Sequence, residues 1–125
     1  MKPSTWILCG AVLGFIGVAA GAFGAHALRE RLSVDMLSVF QTGVTYQMYH
    51  ALALVGVAIL LGRFSVDGSA WLSASGWLFL AGTVLFSGSL YALALSGVTW
   101  LGAITPLGGI AFLLGWLALA IGIWR

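Results

Sequence analysis

Three long stretches of this chain, 3–28, 36–62 and 68–124, contain no Asp, Glu, Lys or Arg. The formal charges are confined to Lys2, Arg29, Glu30, Arg31, Asp35, Arg63, Asp67 and Arg125. A helix that crosses a bilayer needs about 20 predominantly apolar residues. The first two stretches are each long enough for one crossing. The third is long enough for two, with Ser96-Gly97-Val98-Thr99 as the place to turn. The expected fold is all-α: an integral-membrane, antiparallel bundle of four transmembrane helices. Its spans are expected at about 5–28, 44–62, 71–96 and 103–124, in a single domain over 1–125.

Composition narrows the function classes. Hydrophobic residues make up 62% of the chain and charged residues 6%, where a soluble domain carries about 25% charge. The net charge of +2 rests on five dispersed basic residues, so no basic patch points to nucleic acid. The three acidic residues are too scattered for a paired-carboxylate site. Cys9 is the only cysteine; without CxxC or Cys/His spacing, neither an internal disulfide nor a metal site is expected. The run from Trp6 to Ala25 is longer than the apolar region of a secretory signal, so Ala25-His26-Ala27 is not expected to be a cleavage site.

The first span carries glycines at 10, 14, 17, 21 and 24. Spacings of four and three in alternation keep Gly10, Gly14, Gly17, Gly21 and Gly24 on one helix face. Lipid supplies little hydrophobic drive for helix pairing, so close backbone approach must supply the attraction. This face is expected to pack against another helix of the same chain; a second subunit, giving a homo-oligomer, is the alternative. Gly108, Gly115 and Gly122 recur every seven residues and predict a second packing face. Pro106 falls in the first turn of the last span, where a proline costs little.

Between the first two spans, Met36, Leu37 and Phe40 lie to one side of Asp35, Ser38 and Gln41. That pattern predicts a short interfacial amphipathic helix before span 2, or an extension of span 2 beyond the membrane. Trp6, Trp71, Trp100 and Trp124 fall at expected span ends and suit an aromatic belt. Lys2, Arg63 and Arg125 share one side, against Arg29 and Arg31 on the other. The excess predicts both termini in the cytoplasm, for a multi-pass protein of the inner (plasma) membrane.

Up-and-down threading brings the end of span 1, the start of span 2, the end of span 3 and the start of span 4 toward one leaflet. Polar residues concentrate there: His26, then Gln41, Thr42, Thr45, Tyr46, Gln47, Tyr49 and His50, then Ser87, Ser89 and Tyr91, then Thr105. Tyr46 and Gln47 lie four and three residues before His50 and can share its face. If span 2 enters near Val44, His50 lies about 10 Å below that point and His26 is within lateral reach. If it enters at Asp35, the two histidines part. Ionisable groups inside a membrane are functional candidates; interhelical hydrogen bonds that fix register are the structural alternative. A haem would need only two imidazoles, but two histidines are ordinary for this length, and no cofactor is expected. Catalysis has thin support, because no carboxylate is available to orient a base.

These residues expect a non-catalytic membrane component. It would bind a lipid, a quinone-like molecule or a partner protein at a polar cluster in one leaflet. A small transporter or channel acting as an oligomer is the alternative.

Four segments carry a family resemblance. They are Gly21-Ala22-Phe23-Gly24-Ala25-His26; Gln41-Thr42-Gly43 with Tyr46-Gln47 and His50; Gly82-Thr83-Val84-Leu85-Phe86-Ser87-Gly88-Ser89-Leu90-Tyr91; and Thr105-Pro106-Leu107-Gly108-Gly109 through Gly115-Trp116. Over essentially the whole chain they resemble the small membrane proteins typified by bacterial YgdD and YwdK. That family (domain of unknown function four-two-three) includes an animal mitochondrial transmembrane protein. The resemblance implies a four-helix protein of the bacterial inner membrane, with no established activity, substrate or cofactor. It places family motif positions on His26, Gln41, Tyr46, Gln47, His50, Ser87, Ser89, Tyr91, Thr105 and Pro106.

Overall fold

The computed structural model describes residues 1–63 and 68–125, and every long element in it is a helix. In hydrocarbon a lone chain must satisfy its backbone groups internally, and a helix does so within one segment. Four rods of membrane-crossing length and apolarity result: Pro3–Leu28, Val34–Arg63, Ser69–Ser96 and Thr99–Trp124. Part of the turn expected between Arg63 and Asp67 lies outside the described residues.

The first rod is α1 (Pro3–Val18), a π-helical stretch (Ala19–Gly24) and α2 (Ala25–Leu28). The second and third are α3 (Val34–Arg63) and α4 (Ser69–Ser96). The fourth opens with a 3-10 turn (Thr99–Ala103) and continues as α5 (Thr105–Trp124), with Pro106 in its first turn. Gly97 ends α4 in the left-handed region, φ 71°, and its N–H donates to Leu93 O at 2.8 Å. Only a residue without a Cβ adopts that cap at little cost.

No break separates the segment before span 2 from the span itself. The expected interfacial helix is the first part of α3, which runs unbroken for 30 residues. The Ser33 hydroxyl caps its start by accepting from Met36 N at 3.2 Å. Thr42 and Thr45, counted in the expected polar cluster, turn their hydroxyls onto the Ser38 and Gln41 carbonyls at 3.0 Å, so they cost the helix little. At about 1.5 Å per residue α3 is about 45 Å long, against a hydrocarbon layer of about 30 Å.

Neighbours in sequence are neighbours in space: α1 packs on α3, α3 on α4, and α4 on α5. The α4–α5 register can be read from the glycines. A Cβ at Gly108 would enter the Phe86 backbone, at Gly115 it would lie 2.7 Å from the Phe79 ring, and at Gly122 3.0 Å from Leu72. Seven residues forward on α5 match seven back on α4, so the pair is antiparallel. The glycines of the first rod face α3. A Cβ at Gly10 would lie 2.7 Å from Ala51 O, at Gly21 2.9 Å from Val44, and at Gly17 it would strike Met48. Gly24 rests on Phe40 at an ordinary 3.5 Å. Gly14 departs from the expectation: nothing stands within 4 Å of its Cβ position. Its neighbours in the stripe, Gly10 and Gly17, both press on α3, so Gly14 is turned aside from the contact line rather than lying beyond it.

The core gathers Trp6, Leu54, Val57, Phe79 and Phe112. Trp6 is therefore not a belt residue facing lipid. It is wholly buried, its ring lies flush on Gly76, and it meets Trp77 edge-on at 5.3 Å. Trp71, Trp100 and Trp124 do face outward.

Candidate functional site

Among the polar residues of the second rod, Gln47 holds helices together, whereas Tyr46 and His50 line a groove. Gln47 is buried and reaches two helices at once. Its Nε2 donates to Leu13 O at 2.8 Å, and its Oε1 accepts the Tyr91 hydroxyl at 2.7 Å. One amide thereby ties α1, α3 and α4 together. Beside it the Ser87 hydroxyl donates to Gly43 O at 2.6 Å. The approach is close because Gly43 has no side chain; a Cβ there would lie 2.8 Å from the Tyr91 ring. Ser89 joins α4 to α5 through Thr105, their hydroxyl oxygens 2.6 Å apart.

His26 and Gln41 lie outside this network. Both are exposed on the outer surface, and neither side chain forms a hydrogen bond with the described residues. His26 does not approach His50. The first rod passes Phe40 at Gly24, and His26 lies beyond that point while His50 lies ten residues back, about 15 Å along the bundle. The physical reason is the early start of α3, which carries His50 about 24 Å from Val34, near the middle of the rod. The polar groups therefore span from one leaflet to mid-depth. No three His, Cys, Asp or Glu residues are grouped to hold a metal among the described residues.

His50 is buried, and both its ring nitrogens have partners. Nδ1 lies 2.6 Å from Tyr46 O, and Trp116 Nε1 lies 3.2 Å from His50 Nε2. A carbonyl can only accept and an indole N–H can only donate, so the pair assigns the imidazole proton to Nδ1. The ring lies flat on Phe112, centroids 3.5 Å apart and planes 6° apart. Sequence reasoning missed both partners on α5. The available signal was Trp116 itself, a deep tryptophan whose N–H needs an acceptor.

Outside this imidazole, between α3 and α5, lies a groove of about 500 Å³, within the range of small-molecule sites. Its inner wall is aromatic: Tyr46, His50, Phe86, Phe112 and Trp116. Its rim is Pro106, Gly109, Ile110 and Leu113, and it opens on the outer surface of the bundle. Two adjacent glycines have different surroundings here. Gly108 is pressed on α4, whereas nothing lies within 4 Å of the Cβ position of Gly109. Tyr46 lies tilted against Phe86, ring centroids 4.5 Å apart, and its hydroxyl makes no hydrogen bond with the described residues.

The profile of a family described as "Protein of unknown function (DUF423)" matches residues 20–109. A UPF0382 membrane protein of Staphylococcus saprophyticus is 47% identical over 122 residues, 96% of this chain and 97% of that protein. One of Staphylococcus epidermidis is 46% identical over 118 residues, 93% and 92% of the two chains. The UPF0382 membrane protein YwdK of Bacillus subtilis is 47% identical over 116 residues, 93% of each. No solved structure matches.

Proposed function

The chain belongs to the DUF423 family of unknown function, and we propose that it is a non-catalytic membrane protein that binds a lipid-soluble molecule in the groove between α3 and α5. The aromatic groove around His50 carries this reading. The polar residues first in view for a ligand are occupied elsewhere: Gln47, Tyr91, Ser87, Ser89 and Thr105 bond to one another or to backbone. That leaves the groove as the place where a guest meets unsatisfied surface. The same occupancy speaks against a polar path for ions. Catalysis gains no support, since the Ser87 hydroxyl is given to a carbonyl and Asp35 lies at the far start of α3. We read the chain as one domain of the bacterial inner membrane, and the excess of basic residues at Lys2, Arg63 and Arg125 supports a cytoplasmic location for that side.

Native mass spectrometry of protein released from nanodiscs tests the reading. The wild type is expected to retain a bound small molecule that Gly109→Leu, which fills the groove, loses. Equal retention by both proteins counts against it. Ion flux in liposomes that His50→Ala abolishes would favour the transporter instead.

A further inference from the structure

We infer that the groove's guest is a flat ring bearing a carbonyl oxygen, of the quinone class, with that oxygen accepting the Tyr46 hydroxyl; this rests on the groove being a binding site. Three observations carry it. The first is shape. Tyr46 and Trp116 expose ring surface to a groove backed by Phe86, Phe112 and His50, and aromatic pairs gain from offset or edge-on contact with another ring. An acyl chain gains nothing of that kind.

The second is the Tyr46 phenol. It lines the groove, and its donor is free of the described residues. The His50 and Trp116 nitrogens are engaged with each other and with Tyr46 O, so the phenol is the donor left for a ligand. A hydroxyl without a partner in an apolar medium is costly.

The third is depth. Tyr46 is twelve residues from Val34, about 18 Å along α3. With the rod of about 45 Å centred on hydrocarbon of about 30 Å, the Tyr46 backbone lies about 10 Å inside the boundary. Phosphate and ester oxygens stay at the boundary, and acyl chains have no acceptor to bring down. A lipid-soluble ring carbonyl carries an acceptor to that depth.

The test measures equilibrium binding of two radiolabelled probes to the full chain in phosphatidylethanolamine/phosphatidylglycerol nanodiscs. Decylubiquinone has the ring, tail and carbonyls; decylbenzene has the ring and tail alone. The quinone is expected to bind one per chain and at least tenfold more tightly than decylbenzene. Tyr46→Phe should erase that preference and leave decylbenzene binding as it was. Gly109→Leu should abolish binding of both, with an unchanged helical circular dichroism spectrum. Equal affinity for the two probes, or an undiminished preference in Tyr46→Phe, overturns the carbonyl assignment and leaves the groove standing. Absence of binding by either probe to the folded wild type overturns the groove reading and this inference together.

Discussion

The Tyr91 hydroxyl donates to Gln47 Oε1 at 2.7 Å, and the same amide donates onward to Leu13 O at 2.8 Å. Three helices therefore share one side chain. Replacing Gln47 by Leu keeps the volume but leaves the Tyr91 hydroxyl without its acceptor. We expect a loss of about 1–2 kcal/mol. Tyr91→Phe removes only one of the two bonds and leaves Gln47 Oε1 unpaired, so it should cost about 1 kcal/mol, the smaller loss. Unfolding in mixed micelles with increasing dodecyl sulfate checks the order; equal losses would show that the Leu13 contact contributes nothing.

The glycines of the first rod should separate by what faces them. At Gly10 an added methyl meets the Ala51 carbonyl at 2.7 Å, whereas at Gly14 it meets nothing within 4 Å. Gly10→Ala must push α1 off α3, and such overpacking costs about 1–3 kcal/mol. Gly14→Ala should change stability by less than about 0.5 kcal/mol. Thermal unfolding of the two variants, read by circular dichroism, distinguishes them. Equal destabilisation would show that the whole stripe, including Gly14, lies in an interface.

The fold class was legible because lipid leaves a chain so few options: long uncharged runs must be helices, and glycines at alternating spacing must mark where helices meet. Three features resisted. The start of α3 is hidden by Gln41, Thr42 and Thr45, which look like a membrane boundary in sequence. Thr42 and Thr45 instead bond back to their own helix, so polarity there marks no end, and the histidines are displaced along the bundle as a result. The pairing of His50 with Trp116 joins residues 66 positions apart. It depends on how α3 and α5 are set side by side on α4, a placement that periodicity does not encode. Gly14 failed for a different reason: spacing defines a face, but not which of its positions meets the neighbouring rod, and Gly10 and Gly17 on either side of it both do.

Topology can be checked independently of any ligand. In a Cys9→Ala background, a single cysteine replacing Lys2 or Arg125 should react with a membrane-impermeant maleimide only after cells are permeabilised. A cysteine replacing Glu30, in the turn between the first two rods, should react in intact cells. The even number of crossings requires positions 2 and 125 to behave alike. The small excess of basic residues on their side is the ground for expecting this side in the cytoplasm. The reverse labelling pattern would invert the orientation without touching the bundle.

Trp116 and His50 should prove coupled across α3 and α5. The indole N–H donates to His50 Nε2 at 3.2 Å, and the imidazole lies on the Phe112 ring at 3.5 Å between centroids. His50→Phe keeps a ring on Phe112 but removes the acceptor, so the Trp116 N–H is left facing hydrocarbon without a partner. An unmade hydrogen bond of that kind costs about 1–3 kcal/mol. Trp116→Phe removes the donor and frees Nε2, with a similar loss. In the double variant neither group remains to be satisfied, so its loss should fall short of the sum of the single losses by about 0.6–1.7 kcal/mol, the measured span from average to maximum for such pairs in membranes. Strict additivity in the dodecyl sulfate titration would mean that the 3.2 Å contact contributes no energy. His50 would then be held by its Tyr46 carbonyl bond and the Phe112 stack alone.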